Sequence, residues 1–361
     1  MVKHLKIAFT DSVKPWISSI EDRTCIPINE TDFTNIGAVV VSASEMDVLD
    51  NEQIRSFGIP VIVMVVDPSH TISFDMERIA AVIDVTSTSI NDYKGTIEQI
   101  VASYEALILP PFFKALSDYV GDNNAQFDCP GHQGGQFFAK HPTGRAFYDF
   151  FGDHIFRADL CNADVKLGDL LIHEGHAHDA QAHAAAVYNA DKTYFVLNGT
   201  SSANKVVLNA LLTPGDIILY DRNNHKSICH GGLVMSGATP IYLETARNPF
   251  GSIGGILERC FDESYIRNLI GEKDPNKAKA DRPIRLAVIQ LGTYDGTIYN
   301  ARQVVDKIGH LCDYIFFDSA WVGYEQFIPM MKDCSPLLLE LGPNDPGILV
   351  TQSVHKQQAG F

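Results

Sequence analysis

YIFFDSA, at residues 314–320, is a short apolar run that ends in a carboxylate, a pattern typical of a β-strand. Comparable runs recur at 193–198 (TYFVLN), 216–221 (DIILYD), 239–244 (TPIYLE), 284–291 (IRLAVIQL) and 347–353 (GILVTQS). Helical segments such as SANKVVLNALL at 202–212 lie between them. Because strands alternate with helices, the sequence predicts a large α/β domain with a mostly parallel sheet.

The first hundred residues predict a second, smaller α/β domain. Runs rich in Val and Ile occur at 5–9, 37–43, 59–66 and 79–85, as expected for parallel strands buried on both faces. We assign residues 1–96 to this receiver/flavodoxin-like wing domain. Asp11, after the first run, would suit a receiver domain with a phosphorylated aspartate. A loop carboxylate at a strand end is the favoured interpretation, because the other acidic residues and the lysine of a receiver are not evident.

A helical linker is predicted between the two domains, over residues 97–125. The pattern from 97 to 120 has a helical period, but Pro110 and Pro111 interrupt it, because proline removes a backbone donor and clashes inside a helix. Two helical pieces are therefore expected. The larger domain is assigned to 126–361, and the polar stretch 272–283 within it is predicted as a solvent-facing helix and loop.

Composition narrows the class of protein. Of 361 residues, 45% are hydrophobic and 20% charged, which is typical of a soluble globular protein. The formal charge of −16 disfavours a nucleic-acid partner. No signal peptide and no run of ~20 apolar residues is evident, so we expect a cytoplasmic protein without a membrane span. The seven cysteines are scattered without a CxxC pair, which predicts reduced thiols and neither a zinc site nor disulfides.

The lysine in SVHKQQAGF, at 353–361, suggests covalent chemistry. Lys356 follows an apolar strand, and burying an ammonium costs several kcal/mol unless it is paired or consumed in a bond. Lysine forms Schiff bases, and pyridoxal phosphate (PLP) is a common cofactor held in this way. A surface lysine at a strand end is the alternative.

Three further signals suit a PLP site when taken together. NGTSSANK, at 198–205, offers hydroxyls and backbone N–H groups to a phosphate, although it could be a plain serine N-cap. Asp318 could keep the pyridine nitrogen protonated, or it could be a structural carboxylate. His225, in DRNNHKS, could stack on the pyridine ring, or it could be a loop histidine without a role. Their conjunction with Lys356 favours the PLP interpretation.

These segments, together with DSAWVGYEQF, GTYDGTIYNA and FDCPGHQGG, resemble the bacterial inducible ornithine, lysine and arginine decarboxylases. These are fold type I PLP enzymes, and the likeness runs through essentially the whole chain, wing included. The ornithine-specific lactobacillus type is the member that the sequence resembles most. The resemblance implies an aspartate-aminotransferase-like PLP domain after the wing. It also implies that the family's chain continues for several hundred residues beyond this lysine, so we expect a domain that is incomplete at its carboxyl end.

The resemblance assigns roles to four catalytic candidates. Lys356 becomes the Schiff-base lysine and Asp318 the partner of the pyridine nitrogen. His225 becomes the residue stacked on the ring. His355 would lie near the phosphate or near the carboxylate that leaves.

The same resemblance assigns the remaining cofactor contacts. Thr200, Ser201 and Ser353 become phosphate ligands. Ala320 packs on the other face of the ring, and Trp321 shapes the wall of the site. The PGHQGG loop and the segment 156–171 resemble parts that reach the active site of a neighbouring subunit, which implies a homodimer with its active site at the interface and possibly a higher oligomer.

One departure from the family pattern lies at 174–183, EGHAHDAQAH. The histidines His176, His178 and His183 could suggest a metal site. Positions two apart on a helix point in different directions, so a surface helix without a metal is favoured.

The implied reaction is PLP-dependent decarboxylation of a basic amino acid, with L-ornithine giving putrescine and CO₂. Acid defence and polyamine supply would be its physiological use. Lysine or arginine remain alternative substrates, and aminotransferases and aldolases of the same fold are the nearest rivals in reaction type. A non-enzymatic alternative is an inactive fragment or a regulatory relative that binds partners through its wing.

Overall fold

The computed structural model describes residues 5–18, 20, 23–67, 79–125, 127, 129–161 and 164–358. The chain divides into two compact units, Met1–His183 and Ala184–Phe361. The predicted boundaries at residues 96 and 125 fall inside the first unit and stay predictions.

The first unit contains a five-stranded parallel sheet in the order β2-β1-β3-β4-β5. Its strands are β1 Lys6–Phe9, β2 Cys25–Pro27, β3 Ile36–Ser42, β4 Val61–Val65 and β5 Ala81–Asp84. The four predicted runs are confirmed as β1, β3, β4 and β5, whereas the three-residue β2 was missed. Every residue of β3 and β4 is buried, as expected for strands covered on both faces.

Helices cover this sheet and continue beyond it. They are α1 Lys14–Ile17, α2 Glu52–Phe57, α3 Ile90–Ile108, α4 Pro111–Gly121, α5 Pro142–Phe151 and α6 Asp153–Arg157. A Cβ added to Gly37 of β3 would lie 2.6 Å from Val101 Cγ1, so α3 crosses the sheet at a distance that a larger residue would prevent. The predicted break at the proline pair is confirmed, because α3 ends at Ile108 and α4 begins at Pro111.

Within the described residues, no single helix is long and apolar enough to cross a membrane. Only α3 and α4 taken together meet that length and composition, and a bend of 115° separates them.

The histidine-rich helix α7, Gly175–Tyr188, contains the division between the two units. The prediction of a surface helix is confirmed at its first turns, because His176 and His178 have side chains that are 46% and 65% exposed. Ala177 and Ala180 form its buried side. In the part of the chain that is described, no three ligand-type side chains cluster as a metal site would require.

The second unit contains the larger domain's sheet, also parallel, in the order β12-β11-β10-β6-β7. Its strands are β6 Ile217–Asp221, β7 Thr239–Leu243, β10 Ile284–Gln290, β11 Cys312–Ser319 and β12 Gly347–Gln352. A two-stranded antiparallel ribbon adds β8 Thr245–Arg247 and β9 Ile253–Ile256. The helices of the second unit are α8 Thr200–Leu211, α9 Lys226–Cys229, α10 Glu263–Gly271, α11 Ala301–Ile308 and α12 Val354–Gln357. The predicted α/β class and parallel sheet are confirmed.

Two predicted elements in this unit are corrected. Residues 193–198 form no strand, and Tyr194 and Leu197 are 54% and 79% exposed. The run has strand composition, but a strand needs a hydrogen-bonded neighbour, and no described strand pairs with it. The segment 272–283 is mostly exposed loop, as predicted, but its helical part is only a three-residue 3₁₀ helix, Lys277–Lys279.

One buried carboxyl in this unit predicts a pH-dependent stability. Glu325 is 2% exposed, and its Oε2 accepts a hydrogen bond from Gly323 N–H at 2.9 Å, whereas Oε1 has no partner among the described residues. Burial raises the pKa of this carboxyl. Because the folded-state pKa lies above the unfolded value, ionising Glu325 costs stability, and the cost grows as pH rises through the folded pKa.

We therefore expect Glu325→Gln to stabilise the protein by about 1 kcal/mol at neutral pH and to lose that advantage in acid. The thermal unfolding midpoint as a function of pH measures this. Glu272→Gln, at an exposed site, is the control. A gain in thermal stability of Glu325→Gln that is the same at all pH values would contradict the explanation that ionised Glu325 destabilises the fold.

Candidate active site

The carboxyl ends of three neighbouring strands bring the site together. Asp318 of β11 pairs in register with Gln290 of β10 and Thr351 of β12, so these residues lie side by side at one edge of the sheet. In open parallel sheets this edge is where ligands bind.

Asp318 is almost completely buried, at 2% exposure. Its Oδ1 accepts from Ala320 N–H at 3.1 Å, and its Oδ2 accepts from Asn204 Nδ2 at 2.8 Å. Burial raises the pKa of this carboxyl, while these two hydrogen bonds and the nearby His225 and Lys356 oppose the rise. A buried carboxylate in this state would be stabilised strongly by a cationic partner.

Asn204, on α8, is a site residue that the sequence analysis missed. It is 1% exposed, and its Nδ2 donates to Ser227 Oγ at 3.0 Å as well as to Asp318. Its Oδ1 accepts from Thr351 Oγ1 at 2.7 Å. The helical period could have found it, because Asn204 lies one turn after Thr200 on the same face of α8.

His225 is the N-cap of α9, and its Nδ1 accepts from Ser227 N–H at 3.3 Å. Ser227 Oγ lies 2.9 Å from the same Nδ1. Since Nδ1 is the acceptor, the ring proton resides on Nε2. A chain of hydrogen bonds therefore runs from Asp318 through Asn204 and Ser227 to His225.

Lys356 lies on α12, directly after β12. Its Nζ is 4.8 Å from the centroid of the Trp321 ring, a cation–π distance. Trp321 in turn packs edge-on against Tyr294, with ring centroids 4.8 Å apart. Trp321 thus lies directly beside the lysine amine.

Hydroxyls and a helix start lie at the other end of the site. Gly199 is the N-cap of α8 and provides no side-chain cap. Ser202 N–H donates to Gly199 O at 2.9 Å, so the N–H groups of Thr200 and Ser201 are the ones that remain for an anion. Thr200 Oγ1 donates to Gln352 O at 2.9 Å, and Ser201 is exposed. Ser353 is 4% exposed, with its Oγ 3.4 Å from Nδ1 of the exposed His355.

Most of these side chains line one small cavity that is partly open to solvent. Its lining residues are Thr200, Ser201, Asn204, His225, Gln290, Tyr294, Asp318, Ala320, Trp321 and Lys356. Seven of the nine residues singled out in the sequence are among them, whereas Ser353 and His355 are not. Gln290 and Tyr294 were missed, although the strand IRLAVIQL was predicted to end next to Gln290.

The role of Asn204 leads to a prediction. Asn204→Ala removes a donor that lowers the pKa of Asp318, so that pKa should rise further. If activity needs the Asp318 anion, the acid side of the pH–rate profile should move to higher pH, and kcat should fall about tenfold, on the scale of one hydrogen bond to a charged group.

Thr351→Val is the matched control, because it removes the donor to Asn204 Oδ1 and leaves the bond from Asn204 Nδ2 to Asp318 intact. An unchanged acid limb in Asn204→Ala would rule out this role.

Comparisons with known proteins identify the family to which the chain belongs. The family profile described as Orn/Lys/Arg decarboxylase, major domain, matches residues 110–361. An ornithine decarboxylase of Haemophilus influenzae is 63% identical over 359 residues, which are 99% of this chain and 50% of that protein. An inducible ornithine decarboxylase of Lactobacillus sp. is 57% identical over 367 residues, covering 100% of this chain and 49% of that protein.

A solved structure agrees with the fold. Lysine decarboxylase A from Pseudomonas aeruginosa superposes with a TM-score of 0.85 at 27% identity, covering 100% of this chain and 53% of that one. The chain therefore belongs to the Orn/Lys/Arg decarboxylase family, and the family resemblance found in the sequence is confirmed. The chain spans about half the length of the relatives that it matches.

Proposed function

We propose that this protein is a PLP-dependent decarboxylase that converts L-ornithine to putrescine and CO₂. The observation that carries the proposal is the convergence of Lys356, Asp318 and His225 on one cavity in a chain of this family. The ornithine decarboxylases compared above are 63% and 57% identical to it, whereas the lysine decarboxylase LdcA of Pseudomonas aeruginosa is 34% identical over 287 residues when sequences are compared in the same way. This difference favours ornithine over lysine as the substrate.

The residues present fit PLP at each point where the cofactor needs a partner. A buried carboxylate, Asp318, suits a protonated pyridine nitrogen, which would stabilise the otherwise unfavourable buried charge. The open N-terminus of α8, with Thr200 and Ser201, suits a phosphate. Lys356 supplies the amine for a covalent bond. Ser353 would complete the phosphate site.

When bound, the cofactor supplies an electron sink for the pair of electrons left as CO₂ departs. Asp318 would hold the proton at the pyridine nitrogen, and Asn204 would fix the carboxylate that does so. His225, with its proton on Nε2, would cover one face of the ring and could donate to the substrate carboxylate. The small Ala320 would leave room for the ring on its other side.

Three further residues orient the reacting groups in this proposal. Lys356 would hold the cofactor through its side-chain amine, which the α-amine of the substrate would replace. Trp321 would limit the space beside the Lys356 amine and exclude water from it. His355 would lie near the phosphate or the departing carboxylate. Each turnover consumes one proton, which is delivered to Cα of the product.

An assay with L-ornithine, L-lysine and L-arginine side by side tests the proposal. The intact protein loaded with PLP should release CO₂ and form putrescine, with kcat/KM for ornithine at least about tenfold above the others, as expected for a site selective at the level of one methylene. Preference for lysine or arginine would overturn the substrate assignment. No CO₂ from any of the three would instead favour the inactive or regulatory relative.

We also propose that two copies pair in a cytoplasmic homodimer. The PGHQGG loop and the segment 156–171, which the resemblance implies reach a neighbouring subunit, contact each other in the first unit. His132 Nε2 of the loop lies 3.1 Å from Asp159 Oδ2 of the segment. Apolar side chains in the same region are open to solvent, with Phe127, Val165 and Leu171 exposed at 91%, 99% and 78%. Burying them in a partner would remove an unfavourable surface. Sedimentation velocity tests this, and a fully active monomer would contradict it.

A further inference from the structure

The side chain of Gln358, two residues after Lys356, bonds to two other segments of the second unit and to the end of β12. Its Nε2 donates to Gly323 O and to Gln352 Oε1, both at 3.2 Å. Its Oε1 accepts from Tyr188 OH at 2.5 Å. One amide therefore connects the end of α7, the loop after β11 and the end of β12. We call Tyr188, Gln352 and Gln358 the amide hub.

Tyr188 determines how this amide is oriented. A hydroxyl that donates to Oε1 leaves only the Nε2 side of Gln358 to face Gly323 and Gln352. The tyrosine ring is itself held, because it packs edge-on against Phe327 with ring centroids 5.8 Å apart. Burial raises the pKa of the Tyr188 hydroxyl, so it remains a donor over the physiological pH range.

The loop after β11 approaches the hub closely. Gly323 has φ +111°, which favours glycine, and a Cβ at this position would lie 2.7 Å from Gln358 Nε2. Gly323 follows Trp321 by two residues. The hub thus holds the loop that carries Trp321, the wall of the candidate site. It does so through the side-chain amide of Gln358, which follows Lys356 by two residues.

Gln352 extends these contacts to the phosphate side. Its backbone oxygen accepts from Thr200 Oγ1 at 2.9 Å, while its side chain accepts from Gln358. The elements that present the hydroxyls, the lysine and the aromatic wall therefore meet at the hub.

Helix α12 needs such external support. It has four residues, Val354–Gln357, and its N-cap Ser353 makes no side-chain capping bond. Isolated helices of this length are unstable in water, so the direction of the Lys356 side chain depends on contacts made from outside the helix. Gln358, at the C-cap of α12, makes three of them.

We infer that Tyr188 and Gln358 are positioning residues for Lys356, and that the amide hub holds its amine in the geometry needed for covalent attachment of the cofactor and for exchange with the substrate amine. The inference rests on the proposed function, because it takes Lys356 as the residue that binds PLP. Neither residue lines the cavity, so their effect must act through α12.

The test uses Tyr188→Phe, Gln358→Leu and the double variant in the intact protein. Stopped-flow mixing of apoprotein with saturating PLP gives the rate at which the visible absorption band of the covalently bound cofactor appears. A well-placed amine reacts faster than a mobile one, so we expect this rate and kcat to fall about three- to tenfold in each single variant, the scale of a neutral hydrogen bond. KM should change less than kcat.

Gln326→Leu is the matched control. Gln326 Nε2 donates to Val187 O at 3.2 Å, so this variant removes a glutamine contact to the same end of α7 without touching the hub. Its attachment rate should equal that of the unmodified protein. Tyr188→Phe keeps the ring that packs on Phe327 and serves if Gln358→Leu fails to fold.

The double variant distinguishes a hub from two independent contacts. If Tyr188 acts by orienting Gln358, the double variant should react no more slowly than Gln358→Leu alone, since the two residues are coupled. Additive losses, or an unchanged attachment rate in both single variants, would overturn the inference. If the unmodified protein forms no covalent bond at Lys356, the proposed function fails instead, and the two failures are thereby distinguished.

Discussion

Replacing Lys356 with alanine should abolish the visible band of covalently bound PLP and reduce decarboxylation by about 10³-fold or more, the scale of losing a residue that forms a covalent bond. The amine lies in the cavity, beside Trp321 and among the residues that would bind the cofactor. No other lysine lines that cavity, so none of the described lysines can replace it. Absorbance spectra and CO₂ release measure the two effects separately.

Lys192→Ala provides a matched control. Lys192 Nζ also lies over an aromatic ring, 5.0 Å from the centroid of Tyr194, but it is exposed and lies outside the cavity. The Lys192→Ala variant should therefore keep the visible band of covalently bound PLP and the decarboxylase activity unchanged. Retention of the covalent band in Lys356→Ala would show that the cofactor is held elsewhere.

Asp318→Asn should leave the cofactor attached and reduce kcat by about 10²–10³-fold, the size of effect seen when a preorganised charge-stabilising group is removed. The amide has nearly the same shape, but its single oxygen can accept from only one of the two donors, Asn204 Nδ2 or Ala320 N–H. It carries no charge, so it cannot stabilise a proton on the pyridine nitrogen. Spectra that retain the visible band, together with the lower kcat, would separate this role from that of Lys356.

Asp221→Asn is the control for this substitution. Asp221 ends β6, two strands away from β11 in the same sheet. It is 3% exposed, close to the 2% of Asp318, and burial raises its pKa as well. It does not line the cavity, so kcat should remain near that of the unmodified protein. Equal loss of kcat in both variants would indicate a general effect of buried carboxylates and not a specific role for Asp318.

The fold could be predicted largely from the sequence because long apolar runs in a parallel sheet are buried on both faces. β3, β4 and β11 carry this signal strongly. The run at 193–198 has the same composition but forms no strand, since pairing depends on a neighbour and not on composition alone. Conversely, β2 has three residues, too few for any periodicity to show.

The candidate site could be predicted from the sequence only in part. Asp318, His225 and Lys356 are ionisable residues at or after strand ends, and residue type alone draws attention to them. Asn204 and Gln358 are neutral amides whose importance comes from bonds to residues far away in the sequence, 147 positions from Asn204 to Thr351 and 170 from Gln358 to Tyr188. The helical period places Asn204 on the same face of α8 as Thr200, but no local pattern encodes the long-range bonds of Asn204 or Gln358, so those bonds were found only in the folded chain.

The central claim is that the amine of Lys356 carries the cofactor. Reduction of the PLP-loaded intact protein with borohydride, followed by digestion and mass spectrometry, tests it most directly because reduction makes the bond permanent. The account predicts a phosphopyridoxyl group on Lys356, in the peptide that contains SVHKQQ. A group on another lysine, or on none, would contradict it.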